Sequence, residues 1–186
     1  SVELFERVLN RQIEEFHRGV AQLVAKETFQ TLTMARQGLA AIAEVEELKS
    51  YLPEKCERIL KSFGKEFPIF KCLYMISRSK EIIACTNPDG FSRDKTIAWS
   101  QVQGAMYKGN LNFSEKTGRP SIRLELFVID RDEYPGAVLG GELDLGYVTE
   151  NLQKLQLKNN TVAYAVTVNG EIIAASNPKA PPVQWT

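Results

Sequence analysis

The chain of 186 residues is poor in the side chains that carry most enzyme chemistry. It has one histidine, His17, and three cysteines, Cys56, Cys72 and Cys85, whose separations fit no zinc site. No Ser/His/Asp or Cys/His set can form around a pocket when the single histidine lies on a long helical stretch. A phosphate-cradling glycine loop is also missing. These absences predict a domain that is not an enzyme and holds no metal and no cofactor.

Charge of one sign is missing as well. Basic and acidic side chains number 23 each, so the formal net charge is zero and the electrostatic case for nucleic acid is removed. No apolar run reaches the ~20 residues of a membrane span, and no signal peptide is visible. Since 44% of the residues are hydrophobic, a folded core is expected. Because the sequence starts inside a helical pattern and stops just after a hairpin, we expect an excised soluble piece of a longer protein.

A repeated hairpin is the most informative feature that is present. Glu81–Pro88 matches Glu171–Pro178 at an offset of 90 residues, with six of eight positions identical. Each copy reads as strand, turn, strand, over Tyr74–Pro88 and Tyr164–Pro178, and Asn169-Gly170 is a strong hairpin turn. Solenoid repeats are only ~20–50 residues long, so a longer period suits two successive small domains. Coincidence between two ordinary hairpins is the alternative.

Two cysteines flank the first hairpin turn. If Arg78-Ser79 is the loop, Cys72 and Cys85 are directly opposite, and this is the one register of the two in which a disulfide is easily formed. If Ser79-Lys80 is the loop, as in the second copy, they are diagonal neighbours on one face. Buried free thiols are the other possibility.

The first 48 residues predict one long helix with an apolar stripe at steps of three and four. A helix of this length without internal caps is typical of a coiled coil or a spine. Its first half has little to pack on in a domain that begins near residue 50. We therefore expect a parallel homodimer through Phe5, Leu9, Phe16 and Val20, or packing on a membrane-proximal domain.

Helices and strands follow in a mixed order. Ser121–Asp130 alternates cleanly, with Ile122, Leu124, Leu126 and Val128 on one side and Arg123, Glu125 and Phe127 on the other. The remaining predicted elements are helices over Pro53–Ser62, which Gly64 caps, Lys95–Lys108 and Val148–Leu157, and strands over Phe67–Ser77, Glu81–Thr86, Asn110–Glu115 and Ala137–Leu145.

This order resembles the double Cache (PDC) sensor domains, which are PAS-like modules of bacterial and archaeal receptors. The resemblance rests on the long first helix, the Tyr74–Pro88 hairpin, Trp99, the turn before Ser121, and Gly140-Gly141-Glu142-Leu143-Asp144-Leu145. It implies an α+β fold with a long N-terminal helix, a PAS-like five-stranded antiparallel sheet with flanking helices, and a partial second PAS-like hairpin. The implied units are a spine helix (1–50), a membrane-distal domain (51–149) and a truncated or vestigial membrane-proximal domain (150–186).

The resemblance also implies a function. Such domains lie outside the cytoplasm, bind a small molecule in the membrane-distal pocket and transmit a helix displacement to a membrane-anchored receptor. A sensor histidine kinase is the expected receptor. A chemoreceptor, a diguanylate cyclase, or a ligand-free interaction or dimerisation module are the alternatives.

The resemblance places a pocket on the distal domain. In its amino-acid-binding members an arginine precedes the tryptophan by two residues, a tyrosine follows it, and an aspartate follows the glycine pair. Here Ile97, Ser100 and Glu142 occupy these places around Trp99. This weakens an α-amino-acid ligand, because Ile97 cannot pair with a carboxylate, and leaves an amine or other small metabolite. The expected ligand residues are Trp99, Tyr107, Asn112, Ser114, Arg123 and Glu142.

Three of these residues have a structural alternative. Trp99 suits the core as well as a pocket wall. Arg123 and Glu125 share a strand face and can pair with each other. An acidic Glu142 at the end of the apolar run that begins at Ala137 needs a partner, which is either a basic side chain such as Arg123 or a cationic ligand.

Overall fold

The computed structural model describes residues 2–88, 91, 107–113, 119–130, 134–155, 157, 162–166, 170 and 172–177, with side chains described except at 2–10, 107–111 and 113. Within these residues the α-helices are α1 (Val2–Ala43), α2 (Pro53–Glu66) and α3 (Gly146–Lys154), and a 3-10 turn spans Leu48–Ser50. The strands are β1 (Phe70–Ser77), β2 (Ile82–Cys85), β3 (Tyr107–Phe113), β4 (Pro120–Ile129), β5 (Pro135–Asp144), β6 (Tyr164–Val166) and β7 (Ile172–Ala175).

The first five strands form one sheet in the order β2-β1-β5-β4-β3. Every neighbouring pair is antiparallel, so the predicted five-stranded antiparallel sheet is confirmed. β5 lies at its centre between β1 and β4. The last two strands, β6 and β7, pair in a separate two-stranded sheet, outside the first sheet as the repeat predicted. The domain limits drawn from the sequence stay a prediction.

One face of the large sheet is covered by α1 and α2. The alternating side chains of β4 point Ile122, Leu124, Leu126 and Val128 into this core, as their spacing predicted. From the C-terminal half of α1 come Ala35, Leu39 and Ile42, and from α2 come Cys56 and Leu60. Burial of this apolar surface, at roughly 25 cal/mol per Å², fixes the sheet against the helices. We call this side the helix-covered face.

The N-terminal half of α1 has a different neighbourhood. Val24 joins the core cluster together with Leu152 of α3, and Asn151 of α3 donates a hydrogen bond to Glu27 at 3.1 Å. Toward the N-terminus of the helix, Phe16 and Leu23 remain 61% and 54% exposed. Among the described residues, no helix combines the length and the apolar character that crossing a membrane requires.

The two repeated hairpins share an unusual backbone feature. Lys80 and Gly170, which are 90 positions apart, both have positive φ, 66° and 82°. In the first hairpin the Lys80 amide donates to the Ser77 carbonyl at 2.9 Å, which is the three-residue loop closed by a left-handed residue. The offset therefore preserves the position of the left-handed residue, and Asn169 lies outside the described residues.

Several predicted boundaries are wrong. Helix α1 ends at Ala43 instead of Leu48, and α2 continues through Gly64 to Glu66 and is capped at Phe67, so β1 starts only at Phe70. Tyr107 begins β3, whereas the sequence predicted it at the end of a helix. The pairing of β3 with β4 has a register shift between Lys108 and Leu111.

Two adjacent glycines in β5 make room for aromatic rings on opposite faces of the sheet. A Cβ atom at Gly141 would lie 2.5 Å from Cε1 of Phe70, on the helix-covered face. At Gly140 a Cβ would collide with the Tyr74 ring on the other face. Rings from β1 thus lie directly on the β5 backbone. This confirms the sequence interpretation of Gly140-Gly141 as close backbone packing.

We predict that Gly141→Ala destabilises the domain by about 1–3 kcal/mol, because the new methyl group overlaps the buried Phe70 ring. The matched control is Gly19→Ala, where a Cβ meets nothing within 4 Å on helix α1. There the change should stabilise by up to about 1 kcal/mol. Urea unfolding of both variants measures the difference, and a Gly141→Ala variant as stable as the wild type would contradict the packing argument.

Candidate functional site

The face of the sheet opposite the helices carries the buried polar groups. Three of them lie on β4: Ser121, Arg123 and Glu125 are 2%, 4% and 1% exposed. Tyr74 and Cys72 on β1 and Glu142 on β5 share this side in the register. We call this set the polar face. Charged side chains are almost never buried in this way unless they have partners, so the polar face is the candidate site.

A tyrosine that reaches across a strand organises the polar face. Tyr74 on β1 is the register partner of Gly140 on β5, and Gly140 is the register partner of Glu125 on β4. Because Gly140 has no side chain, the Tyr74 ring lies over it. Its hydroxyl then donates a hydrogen bond to Oε1 of Glu125. Two residues that are 51 positions apart are joined across the central strand.

The environment keeps the Tyr74 hydroxyl protonated. Burial, and next the negative charge of Glu125, raise the pKa of Tyr74 well above its ordinary value, and the positive charge of Arg123 opposes them. A phenol in this state is a hydrogen-bond donor throughout the physiological pH range. The Tyr74–Glu125 bond is therefore a neutral donor facing a carboxylate, which is stronger than a bond between two neutral groups.

An aromatic ring packs over the same cluster. The Phe91 ring centroid lies 4.4 Å from that of Tyr74 and 5.7 Å from Cζ of Arg123. The second distance is within cation–π range. Phe91 follows the Asn87-Pro88 end of the first hairpin, so the chain returns over the polar face directly after β2. Arg123 and Tyr74 are thereby shielded from water.

A less buried polar edge adjoins this cluster. Glu142 is half-buried, and its Oε1 accepts a hydrogen bond from the Ser121 hydroxyl at 2.7 Å. In the register Glu142 is paired with Arg123, and Ser121 with Asn112, which is also half-buried. The sequence offered a basic side chain or a ligand as the partner of Glu142. The Ser121 hydroxyl is a third possibility that it did not consider.

The structure brings Asn112, Arg123 and Glu142 together on one face. Tyr107 is the register partner of Glu125, at the same level of the sheet, and its side chain is outside the description. Trp99 and Ser114 lie outside the described residues altogether, so their roles in a pocket stay predictions.

Sequence reasoning missed Tyr74, Phe91 and Ser121 as site residues and did not assign Glu125 to the site. One signal for Tyr74 was available, because it has a counterpart in Tyr164 of the second hairpin and lies two residues from Cys72 on an alternating strand.

All three cysteines are free thiols. Tyr74 pairs with Cys85, so Cys72 and Cys85 are diagonal neighbours.

A separate concave surface lies away from the polar face. A cavity of about 580 Å³ opens between α1, α3 and the second hairpin, and its lining includes Val20, Val24, Leu152, Tyr164 and Ile173. The walls are mostly aliphatic. Such a surface suits apolar side chains better than a charged metabolite, and it contains none of the predicted ligand residues.

We predict that Tyr74→Phe costs about 1–3 kcal/mol of folding stability, because the buried Glu125 carboxylate loses a donor while the ring packing is retained. Tyr134→Phe removes the same hydroxyl from a side chain that is 66% exposed and should change stability by less than about 0.5 kcal/mol. Chemical denaturation compares the two. Equal effects would show that the cross-strand bond contributes nothing.

No protein-family model and no curated protein matches this sequence. Solved structures do match in fold. The sensor domain of the histidine kinase DctB of V. cholerae has a TM-score of 0.66 at 16% identity, over 87% of this chain and 66% of that one. The ligand-binding domain of the Pseudomonas aeruginosa amino acid chemoreceptor PctC, in complex with GABA, has a TM-score of 0.61 at 18% identity, over 82% and 71%.

A third match is the ligand-binding domain of the Campylobacter jejuni chemoreceptor Tlp3 in complex with L-valine, with a TM-score of 0.64 at 11% identity, over 87% of this chain and 72% of that one. All three are sensor or ligand-binding domains of signalling receptors. The sheet order, the long first helix and these likenesses agree with the resemblance found in the sequence. The chain has the fold of a Cache-type sensor domain.

Proposed function

We propose that this chain is the extracytoplasmic ligand-binding sensor domain of a transmembrane signalling receptor. The observation that carries the proposal is the polar face, where Arg123 and Glu125 are buried on a sheet whose fold is that of receptor sensor domains. A packed, ligand-free core has no need of two buried charges, since apolar side chains of similar volume are usually at least as stabilising. A binding site does need charges, because they select the ligand.

The charges favour a ligand with an ammonium group. The described part of the polar face contains one guanidinium, on Arg123, and two carboxylates, on Glu125 and Glu142. Glu125 is engaged by Tyr74, whereas Glu142 is half-buried at the polar edge. Glu142 is thus the carboxylate that an entering cation meets, and Ser121 and Asn112 are next to it. GABA and L-valine, the ligands of two similar domains, both carry an amine.

Thermal unfolding with matched ligands tests this assignment, because a ligand that binds the folded state alone raises the Tm. The probes are GABA, L-valine, n-butylamine and butyrate. We expect the amine-bearing compounds to raise the Tm and butyrate to leave it unchanged. A shift with butyrate alone would assign the site to anions, and no shift with any of a broad panel of amines, carboxylates, amino acids and purines would favour an interaction module.

We predict that Glu142→Gln weakens binding of the amine at least about tenfold, since a charged hydrogen bond contributes roughly 1.5–3 kcal/mol. The unliganded domain should lose less than about 1 kcal/mol, because the amide oxygen still accepts from Ser121. Glu54→Gln, at an exposed position of α2, is the control for the charge change. Unchanged amine affinity in the Glu142 variant would exclude this carboxylate from the site.

For the receptor, we propose a sensor histidine kinase, with a chemoreceptor or a diguanylate cyclase as alternatives. The DctB sensor domain supports the first, and the PctC and Tlp3 domains support the second. In each case the receptor is anchored in the membrane, the sensor lies outside the cytoplasm, and the domain itself is not catalytic. The sequence encoding the flanking segments decides the receptor type directly.

We further propose that the receptor is a homodimer through α1. The support is the apolar surface that this helix leaves exposed. Ile13, Phe16, Leu23 and Met34 are between 43% and 61% exposed, which is more than isolated surface positions require. The predicted stripe included Phe5 and Leu9, whose side chains are not described, and Val20, which is half-buried and lines the apolar cavity. The interface is therefore centred on Phe16 and Leu23.

We predict that Leu23→Glu raises the dimer dissociation constant at least tenfold, because a charge then enters the apolar contact. The neighbouring Gln22→Glu adds the same charge to an exposed position on another side of the helix and should leave the dimer intact. Sedimentation velocity over a micromolar concentration series distinguishes them. A wild-type chain that stays monomeric at high micromolar concentration would contradict the interface.

A further inference from the structure

A pair of cysteines lies at the margin of the polar face. The Sγ atoms of Cys72 on β1 and Cys85 on β2 are 3.3 Å apart. Both belong to a small cluster with Tyr74, Ile76 and Phe91, on the side of the sheet away from the helices. Cys72 is also the register partner of Glu142. The two thiols are therefore in contact with each other and next to the proposed ligand site.

The strand geometry permits the two sulfur atoms to approach further. A disulfide has an S–S distance of about 2.05 Å, so the atoms need to close by about 1.3 Å. β2 is a four-residue edge strand with β1 as its one neighbour in the sheet, and Cys85 is its last residue. A short edge strand has fewer contacts to lose than a central one when it shifts.

The two thiols also differ in pKa and in exposure, and disulfide formation by a peroxide depends on both properties. The hydrogen bond with Cys72 is the largest effect on Cys85, and it lowers the pKa of Cys85 to about 7 although burial opposes it. The same hydrogen bond, and next burial, raise the pKa of Cys72 well above its ordinary value. Cys85 is half-buried, whereas Cys72 is 2% exposed. Cys85 is thus the accessible thiolate and Cys72 is the protected thiol behind it.

We propose that Cys72 and Cys85 are an oxidation site, at which a hydroperoxide closes an intramolecular disulfide between β1 and β2. Cys85 first gives up its proton, and its thiolate then attacks a peroxide oxygen and breaks the O–O bond, so that Cys85 becomes a sulfenic acid. The hydroxide or alkoxide that leaves takes up the proton that Cys85 gave up and departs as water or alcohol. The Cys72 sulfur then attacks the Cys85 sulfur and displaces hydroxide, which takes the Cys72 proton and leaves as water. Two electrons pass from the protein to the peroxide, and the S–S bond is formed.

The Cys72–Cys85 disulfide fixes the edge strand β2 to β1 beside the polar face. It covalently joins the strand that carries Tyr74 to the strand that leads into Phe91. Closing the hairpin loop in the unfolded chain removes conformational entropy, and this stabilises the folded state. The oxidised domain should therefore unfold at a Tm about 5 °C or more above that of the reduced domain.

The reduced chain treated with stoichiometric hydrogen peroxide tests the proposal. Trypsin cleaves after Lys71, Arg78, Lys80 and Arg93, so the two cysteines fall on separate peptides, 72–78 and 81–93. We expect these peptides to be joined in a digest without reductant and separated by dithiothreitol. Alkylation under denaturing conditions should find one remaining thiol, Cys56, which is fully buried on the helix-covered face.

Single substitutions separate a specific bridge from general oxidation. Cys56→Ser should keep the peptide cross-link and the rise in Tm, whereas Cys72→Ser should lose both and leave Cys85 as a sulfenic or more highly oxidised acid. A disulfide between two chains, a link to Cys56, or three intact thiols after peroxide treatment would each overturn the proposal. A cross-link without any change in Tm would overturn the clamping of the edge strand.

Discussion

The polar face depends on the hydrogen bond that Tyr74 makes to Glu125 across the central strand. It requires three conditions at once: a tyrosine on β1, an acceptor on β4 and no side chain between them at Gly140. A buried carboxylate is costly unless donors surround it. With this donor in place, the charge of Glu125 is held at a fixed position on the polar face, where the ring of Phe91 packs on Tyr74 and on the guanidinium of Arg123.

The opposite face is packed mainly by apolar side chains. Leu39 and Ile42 of α1 belong to the same core cluster as Leu124 and Leu126 of β4, and the same helix also contacts α3. At 1.5 Å per residue, the 42 residues of α1 extend about 63 Å. One helix thus contacts both the five-stranded sheet and α3, which precedes the second hairpin.

The sequence was sufficient where a pattern is local. The alternation along β4 predicted which face of the strand is apolar and which face carries Arg123, and the repeat predicted both hairpins. It failed where the outcome depends on groups far apart in the chain. The Tyr74–Glu125 bond spans 51 residues and is possible because of what Gly140 lacks, which no periodicity reports. The start of β3 at Tyr107 was missed because the sequence pattern assigned Tyr107 to the end of a helix.

The glycine pair of β5 has a consequence for how this sequence can change over evolutionary time. Positions 140 and 74 are sterically linked, as are positions 141 and 70. A mutation from glycine is therefore tolerated after the facing ring has been lost, and the loss of the Tyr74 ring removes a partner of Glu125. The order of substitutions is constrained, so descendants of this chain should drift at these four positions in coordinated pairs. Epistasis of this kind keeps the polar face intact while the surrounding surface diverges.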